Sequence, residues 1–253
     1  MTHDPYSRVD YRSLIAWPER IRREWPLIEE LLSTAPVRRL LDLGSGTGEH
    51  SRFIAEQGYE VVGVDSSESM IERAYEGLLP PNVRFVLGDF RELDKLSDGA
   101  FGAAICLGNA LPHLTTPEDL ERFATGLRST VSSGGPVLLQ VLNYGRIAAK
   151  KERALPINFR PDPEGGEIVF LRLMETKEDG TVMFYPTTLR LTPGAEEPLQ
   201  VIASREVRLR GWRLEELREA FGKAGFVYST AYGGFDKSRF DPEESRDLVL
   251  VIR

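Results

Sequence analysis

Cysteine is nearly absent. The chain has one, Cys106, so neither an intramolecular disulfide nor a Cys-rich zinc site can form. It lies inside the apolar run FGAAICLGNA, which predicts a buried thiol rather than a nucleophile. The three histidines, His3, His50 and His113, are scattered, so no metal site is expected. No stretch approaches the ~18–20 apolar residues of a membrane span. The opening MTHDPYSRVDYRS lacks the apolar segment of a secretion signal. The expectation is therefore a cytoplasmic protein without a membrane partner. Cations are outnumbered, 32 Lys and Arg against 39 Asp and Glu, which argues against a nucleic-acid partner because phosphates demand clustered positive charge. The one basic cluster, Arg20-Ile21-Arg22-Arg23, sits on an amphipathic helical pattern and reads largely as a solvated face. No G-x-S-x-G elbow, P-loop or H-E-x-x-H motif occurs.

With 253 residues and 41% apolar content, the chain can fill the core of one α/β domain carrying an insertion. Residues 1–36 read as a helical cap, with Trp17, Ile21, Trp25, Ile28, Leu31 and Leu32 among its apolar positions at helical spacing. Strand and helix signals then alternate, as in a parallel sheet. The strands are VRRLLDLG, YEVVGVD, NVRFVLGDF, FGAAICLGNA and GGPVLLQVLNY. SESMIERAYEGL is a helix with Ser67 or Ser69 as cap, and Thr116-Pro117-Glu118 opens another. The pattern changes at EIVFLRLMET, TVMFYPTTLRLT and LQVIASREVRLR, three β-type runs with turns between and no helix, which predict an inserted antiparallel sheet. RPDPEGGE (160–167) reads as a loop. LEELREAFGKAGF returns to helix, with Gly225 at its C-terminus, and FVYSTAYGG and DLVLVIR close the chain as a strand pair.

The most informative stretch is LLDLGSGTGEH (40–50), a strand ending in an acid and then a glycine turn. A helix-like segment follows, then a second strand ending in Asp65, placed to receive a ribose. Two ligands compete. The dinucleotide fingerprint G-x-G-x-x-G binds pyrophosphate, but Glu49 stands where the third glycine belongs and Asp42 precedes the first. Carboxylates repel a polyanion and suit S-adenosylmethionine, which has an ammonium, a sulfonium and no phosphate. A nicotinamide-dependent oxidoreductase is the competing enzyme class, and a non-catalytic cofactor-binding module the third reading.

The LDLGSGTG loop, Asp65, GDF (88–90) and LGNALPHL (107–114) together make the chain resemble class I S-adenosylmethionine-dependent methyltransferases over most of its length. The resemblance implies a Rossmann-like α/β fold: a seven-stranded, mostly parallel sheet, helices on both faces and the last strand inserted antiparallel. The expected organisation is a cap at 1–36, a Rossmann-like domain at 37–144 and 211–253, and the inserted sheet at 145–210. That sheet would form an acceptor pocket or a homo-oligomer contact. The cap, the LGN after strand four, the N-Y pair Asn143-Tyr144 and the inserted sheet resemble the glycine N-methyltransferases among small-molecule enzymes. One departure matters: the arginine that grips a substrate carboxylate there is Leu142 here, and leucine offers no bidentate clamp. The N-P-P-Y motif of nucleic-acid amino methyltransferases is replaced by NALP.

The resemblance implies a role for each site residue. Asp65 meets the ribose, and Ser66 is a further cofactor-binding residue. Asp89 accepts from the adenine amine, with Phe90 or Met70 over the ring and Leu107 and Gly108 nearby. Asp42, Gly44, Ser45 and Gly46 line the methionine part, and Arg20 in the cap helix pairs with the cofactor carboxylate. Tyr11 and Trp17 close over the sulfonium, whose charge an aromatic face attracts. The expected reaction moves a methyl group to a small-molecule acceptor, an amine before a hydroxyl. Asn109 and Tyr144 hold the nucleophile, and His113 takes a proton if one must leave. Tyr185, Arg172 and Arg190 of the inserted sheet are candidate acceptor contacts.

Overall fold

Period-two alternation in the first strands sets the architecture. In β1 (Arg39–Leu43), Leu41 and Leu43 point to one face and Leu40 to the other. In β4 (Ala103–Cys106), Ala104 and Cys106 oppose Ala103 and Ile105 in the same way. Strands apolar on both faces must be covered on both, and that is the arrangement found. The computed structural model describes residue 12 and residues 15–95, 100–162 and 165–253, the side chains of 94 and 95 excepted.

β2 (Glu60–Asp65) and β3 (Val83–Leu87) lie beyond β1, and β5 (Val137–Leu142) lies beyond β4. β11 (Ser229–Tyr232) and β12 (Asp247–Ile252) complete a seven-stranded sheet in the order β11-β12-β5-β4-β1-β2-β3. β12 runs antiparallel to both neighbours, while β1 to β5 pair in parallel. The expected Rossmann-like sheet with an inverted final strand is thus borne out. One face carries α1 (Trp17–Ser33), α2 (Glu49–Glu56) and α3 (Glu68–Ala74), packed through residues such as Ile28, Ile54 and Ala74. The other carries α4 (Pro117–Thr130) and α6 (Leu214–Lys223), joined by Phe123 and Phe221, whose ring centroids lie 6.1 Å apart edge to face. Each buried aromatic or large aliphatic side chain here contributes about 1.5–3 kcal/mol. The caps follow their chemistry: the Ser67 hydroxyl accepts from Met70 N and the Thr116 hydroxyl from Asp119 N.

The second sheet contains β6 (Asn158–Pro161), β7 (Glu167–Thr176), β8 (Thr181–Leu191), β9 (Leu199–Ser204) and β10 (Val207–Arg210), all paired antiparallel. Three details differ from the sequence expectation. LQVIASREVRLR is two strands, because β9 and β10 pair with different halves of the long β8. Arg160 and Pro161, expected in a loop, pair with β7 as part of β6. A short helix, α5 (Tyr144–Ala149), follows β5. α5 is capped by Asn143, whose Oδ1 accepts from Arg146 N and whose Nδ2 donates to the carbonyls of Pro242 and Ser245. Asn143 therefore ties α5 to the segment before β12. Tyr144, Ile147, Met174, Val182 and Leu209 pack α5 against the second sheet. Past β10, the Trp212 indole donates to the Leu114 carbonyl at 3.0 Å, fixing the sheet's exit against the turn after β4.

Candidate active site

β1 delivers its chain end into a turn that glycine alone permits. Gly44, Gly46 and Gly48 have φ of +69°, +56° and +83°, the left-handed region that a Cβ disfavours. A Cβ on Gly44 would lie 2.4 Å from the Ala110 Cβ, whereas one on Gly46 would meet nothing within 4 Å. The turn is fastened to the second strand: Gly44 N and Ser45 N donate to the Val64 carbonyl, and Gly46 N donates to Asp65 Oδ2 at 2.8 Å. Asp65 Oδ1 accepts from Ser67 N at 2.9 Å, so one carboxylate organises both the glycine turn and the start of α3. Asp42 is buried beneath the turn and accepts from the Ser51 hydroxyl at 2.6 Å. Burial pushes its carboxyl above the ordinary aspartate range.

The space over this turn is a cavity of about 330 Å³, within the range of small-ligand sites. The cofactor residues expected from sequence all line it, except Tyr11, which lies outside the described residues. Thr47, His50, Arg91, Ala110 and Leu114 also line it and were not anticipated there. Arg91 donates from Nε to both oxygens of Asp89, at 3.0 and 2.8 Å. Desolvation opposes ionisation of Asp89, but the Arg91 bonds outweigh it and hold the carboxyl below its ordinary range. Glu49 does not line the cavity; it pairs with Arg12 and accepts from the Thr47 hydroxyl. The acids facing a ligand are thus Asp42, Asp65 and Asp89.

The cap helix closes the cavity through a buried ionic cluster. Glu24, 2% exposed, accepts from Arg20 Nε at 2.9 Å and holds His50 Nε2 at 2.7 Å. Burial alone would raise the Glu24 carboxyl; His50 and Arg20 together outweigh it and set it below its ordinary range. The Arg20 guanidinium stacks 5.0 Å from the Trp17 ring, and His50 meets that ring edge-on at 5.5 Å. His50 is therefore a link between cap and glycine turn, a pairing that no local pattern reveals.

A larger cavity, about 780 Å³, opens beside the first and shares Arg20, Gly108, Asn109 and His113 with it. Its far wall comes from α5 and the second sheet, including Ile147, Met174, Val182 and Phe184. Asn109, at φ +65°, donates from Nδ2 to the Tyr144 hydroxyl at 2.7 Å and accepts from Leu142 N at 3.0 Å. Burial pushes the Tyr144 hydroxyl up. Burial, then the nearby Arg205 charge, bring His113 down to about 4. Two further residues belong here. Gln140 Oε1 accepts from Gly108 N and Asn109 N, at 2.9 and 3.3 Å, while its Nε2 donates to Asp247 at 2.7 Å. A lone glutamine inside the apolar run VLLQVL was the available signal for the first; Asp247, 107 positions away, had none. Of the inserted-sheet candidates Arg172 lines the cavity, while Tyr185 and Arg190 do not, and Arg190 pairs with Asp162 at 2.7 Å. Leu142 lines it too, so no guanidinium stands at that position. Among the described residues no group of acids, cysteines and histidines could hold a metal ion.

Residues 40–135 match the family described as Methyltransferase domain. A glycine/sarcosine N-methyltransferase of Parasynechococcus marenigrum is 32% identical over 136 residues, covering 53% of this chain and 48% of that protein. The chain thus spans about half the length of the curated relatives it matches. The CcbJ methyltransferase of Streptomyces caelestis superposes with a TM-score of 0.72 at 25% identity, over 93% of this chain and 95% of that one. The amino pentose methyltransferase CalS10 of Micromonospora echinaspora, solved with S-adenosylmethionine bound, shares the fold with a TM-score of 0.71 at 21% identity, covering 96% and 94%. Residues 40–135 thus carry a methyltransferase domain, and the chain as a whole shares the fold of CcbJ and CalS10. The residues lining the cavity suit S-adenosylmethionine, the molecule bound in the CalS10 structure. Asp42, Asp65 and Asp89 line the cavity, the Ser45 hydroxyl and Trp17 indole nitrogen are buried with no hydrogen-bond partner among the described residues, and the Gly46 side of the turn is open.

Proposed function

We propose that this protein transfers a methyl group from S-adenosylmethionine to a small-molecule amine. The observation that carries the reading is the meeting of the two cavities at Arg20, Gly108, Asn109 and His113. That junction lets a cofactor on the glycine turn and an acceptor under the second sheet share one wall. The cofactor supplies a methyl group already activated on a sulfonium. Asp65 would take the ribose, Asp89 with Arg91 the adenine amine, Met70 and Phe90 the ring faces, and Arg20 the carboxylate. Asn109 and Tyr144 would hold the nucleophile, so that alignment and exclusion of water supply most of the acceleration.

An amine is favoured over a hydroxyl for a chemical reason. A hydroxyl needs a base to sharpen it, yet His113 sits near 4 and the Tyr144 hydroxyl is held protonated. An amine needs no such base: once its ammonium has released a proton to water, it brings its own lone pair. The names of the relatives agree: glycine/sarcosine N-methyltransferases by sequence and, on the same fold, a sugar N-methyltransferase from Streptoalloteichus. A wall containing Leu142 in a cavity of about 780 Å³ suits an acceptor larger than glycine. The test is transfer of labelled methyl from S-adenosylmethionine to aralkylamines and amino sugars, each paired with its hydroxyl analogue. Amines alone should become labelled; labelling of the hydroxyl analogues alone would establish O-transfer instead.

A further inference from the structure

We propose that Asp247 is the group that recognises the acceptor, binding it as an ammonium, so that the substrate class is a protonatable primary or secondary amine with an apolar body. The inference rests on the methyl-transfer reading above and names the charge and shape of its acceptor. Four carboxylates line the larger cavity: Glu19, Glu24, Glu152 and Asp247. Glu24 is spent on Arg20, Arg23 and His50. Glu152 is held at both oxygens by Arg146, at 2.6 and 2.9 Å. Glu19 is exposed in the first turn of α1. Asp247 differs from all three. It is half-buried at the start of β12, its Oδ1 accepts from Gln140, and its Oδ2 takes no hydrogen bond from a described residue.

Its placement ties recognition to the junction. Gln140 bridges Asp247 to the backbone of Gly108 and Asn109, so the open oxygen stands two hydrogen bonds from the loop both cavities share. Arg20 and Arg23 of α1 face Asp247, but both bond to Glu24, which offsets them. Arg246 is exposed at the rim. The arginines of the far wall are engaged elsewhere, Arg146 on Glu152, Arg160 on the Phe159 carbonyl and Arg172 on the Pro156 carbonyl and Asn158 Oδ1. The apolar wall of Leu142, Ile147, Met174, Val182 and Phe184 receives the body of the acceptor. A half-buried carboxylate oxygen with no protein donor gains most from a cation that brings N–H groups.

The experiment titrates protein saturated with S-adenosylhomocysteine, at pH 7, with 2-phenylethylamine, neutral 2-phenylethanol and anionic 3-phenylpropanoate, followed by ligand-detected NMR. The amine should bind about tenfold more tightly than the alcohol, the scale of one hydrogen bond to a charged group. Asp247→Asn should reduce that preference below about threefold, since the amide loses the charge but can still accept from Gln140. Glu19→Gln should keep it. Equal binding of amine and alcohol, no binding of any probe, tightest binding of the anion, or an unchanged preference in Asp247→Asn would each overturn the proposal. The wild-type comparison stands even if a variant fails to fold. Failure to bind S-adenosylhomocysteine at the outset would instead remove the methyl-transfer reading beneath it.

Discussion

Removing the Glu24 carboxylate should be among the most damaging single changes outside the apolar core. Glu24→Ala leaves Arg20 and His50, with side chains 17% and 10% exposed, facing a hole where their shared acceptor stood. Breaking a buried pair from one side costs about 3–5 kcal/mol, because the remaining charge is neither solvated nor matched. For a chain of this size that is a fall in Tm of about 6–20 °C. Glu24→Gln keeps the volume and one acceptor oxygen, so its cost should be nearer 1–3 kcal/mol. The sign of the pH dependence is fixed by the direction of the shift. The folded carboxyl lies below its unfolded value, so its contribution is complete above the unfolded value and is lost as pH falls through the folded one. The gap between wild type and Glu24→Gln should therefore be constant from pH 7 to about 5.5 and close only below about 4.3. Urea unfolding followed by tryptophan fluorescence measures it. A loss under about 1 kcal/mol for Glu24→Ala would refute the reasoning, as would a gap that widens on acidification.

Other consequences follow from single contacts. Gly44→Ala combines a positive φ with a Cβ 2.4 Å from Ala110 and should weaken S-adenosylhomocysteine binding at least about tenfold. Gly77→Ala, at φ +76° with nothing within 4 Å, should carry the strain alone and leave affinity unchanged by calorimetry. Phe123→Ala, at 0% exposure between α4 and α6, should cost about 3–5 kcal/mol in urea unfolding. Asn109→Ala and Tyr144→Phe should depress methyl transfer while leaving cofactor affinity nearly intact; unchanged turnover in both would remove them from the reaction.

The sheet and the glycine turn were legible because their signals are local. LLDLGSGTG carries its strand, acid and turn within a dozen residues, and alternation in β1 and β4 already states that both faces are covered. Most residues expected around the cofactor lie together because they sit at or just after strand ends, and strand ends of a parallel sheet share one edge; Trp17 and Arg20 come instead from the cap helix. The rest depended on distance. Glu24 with His50 and Gln140 with Asp247 are pairs 26 and 107 positions apart, and neither partner has a local reason to be singled out. β6 was missed because NFRP is short and its pairing is supplied by β7. The break between β9 and β10 comes from the length of β8, which gives each a different half to pair with. His113 shows the same limit: its position was readable, but burial beside Arg205 is a property of the packed chain.

On the proposed reading, the cavity over the Gly44–Gly46 turn holds S-adenosylmethionine. Titration calorimetry with S-adenosylmethionine, S-adenosylhomocysteine and NAD tests it most directly. The first two should bind and NAD should not, with binding abolished in Asp65→Ala, which removes the anchor of Gly46 N and the proposed ribose acceptor. Binding of NAD without S-adenosylmethionine would contradict it.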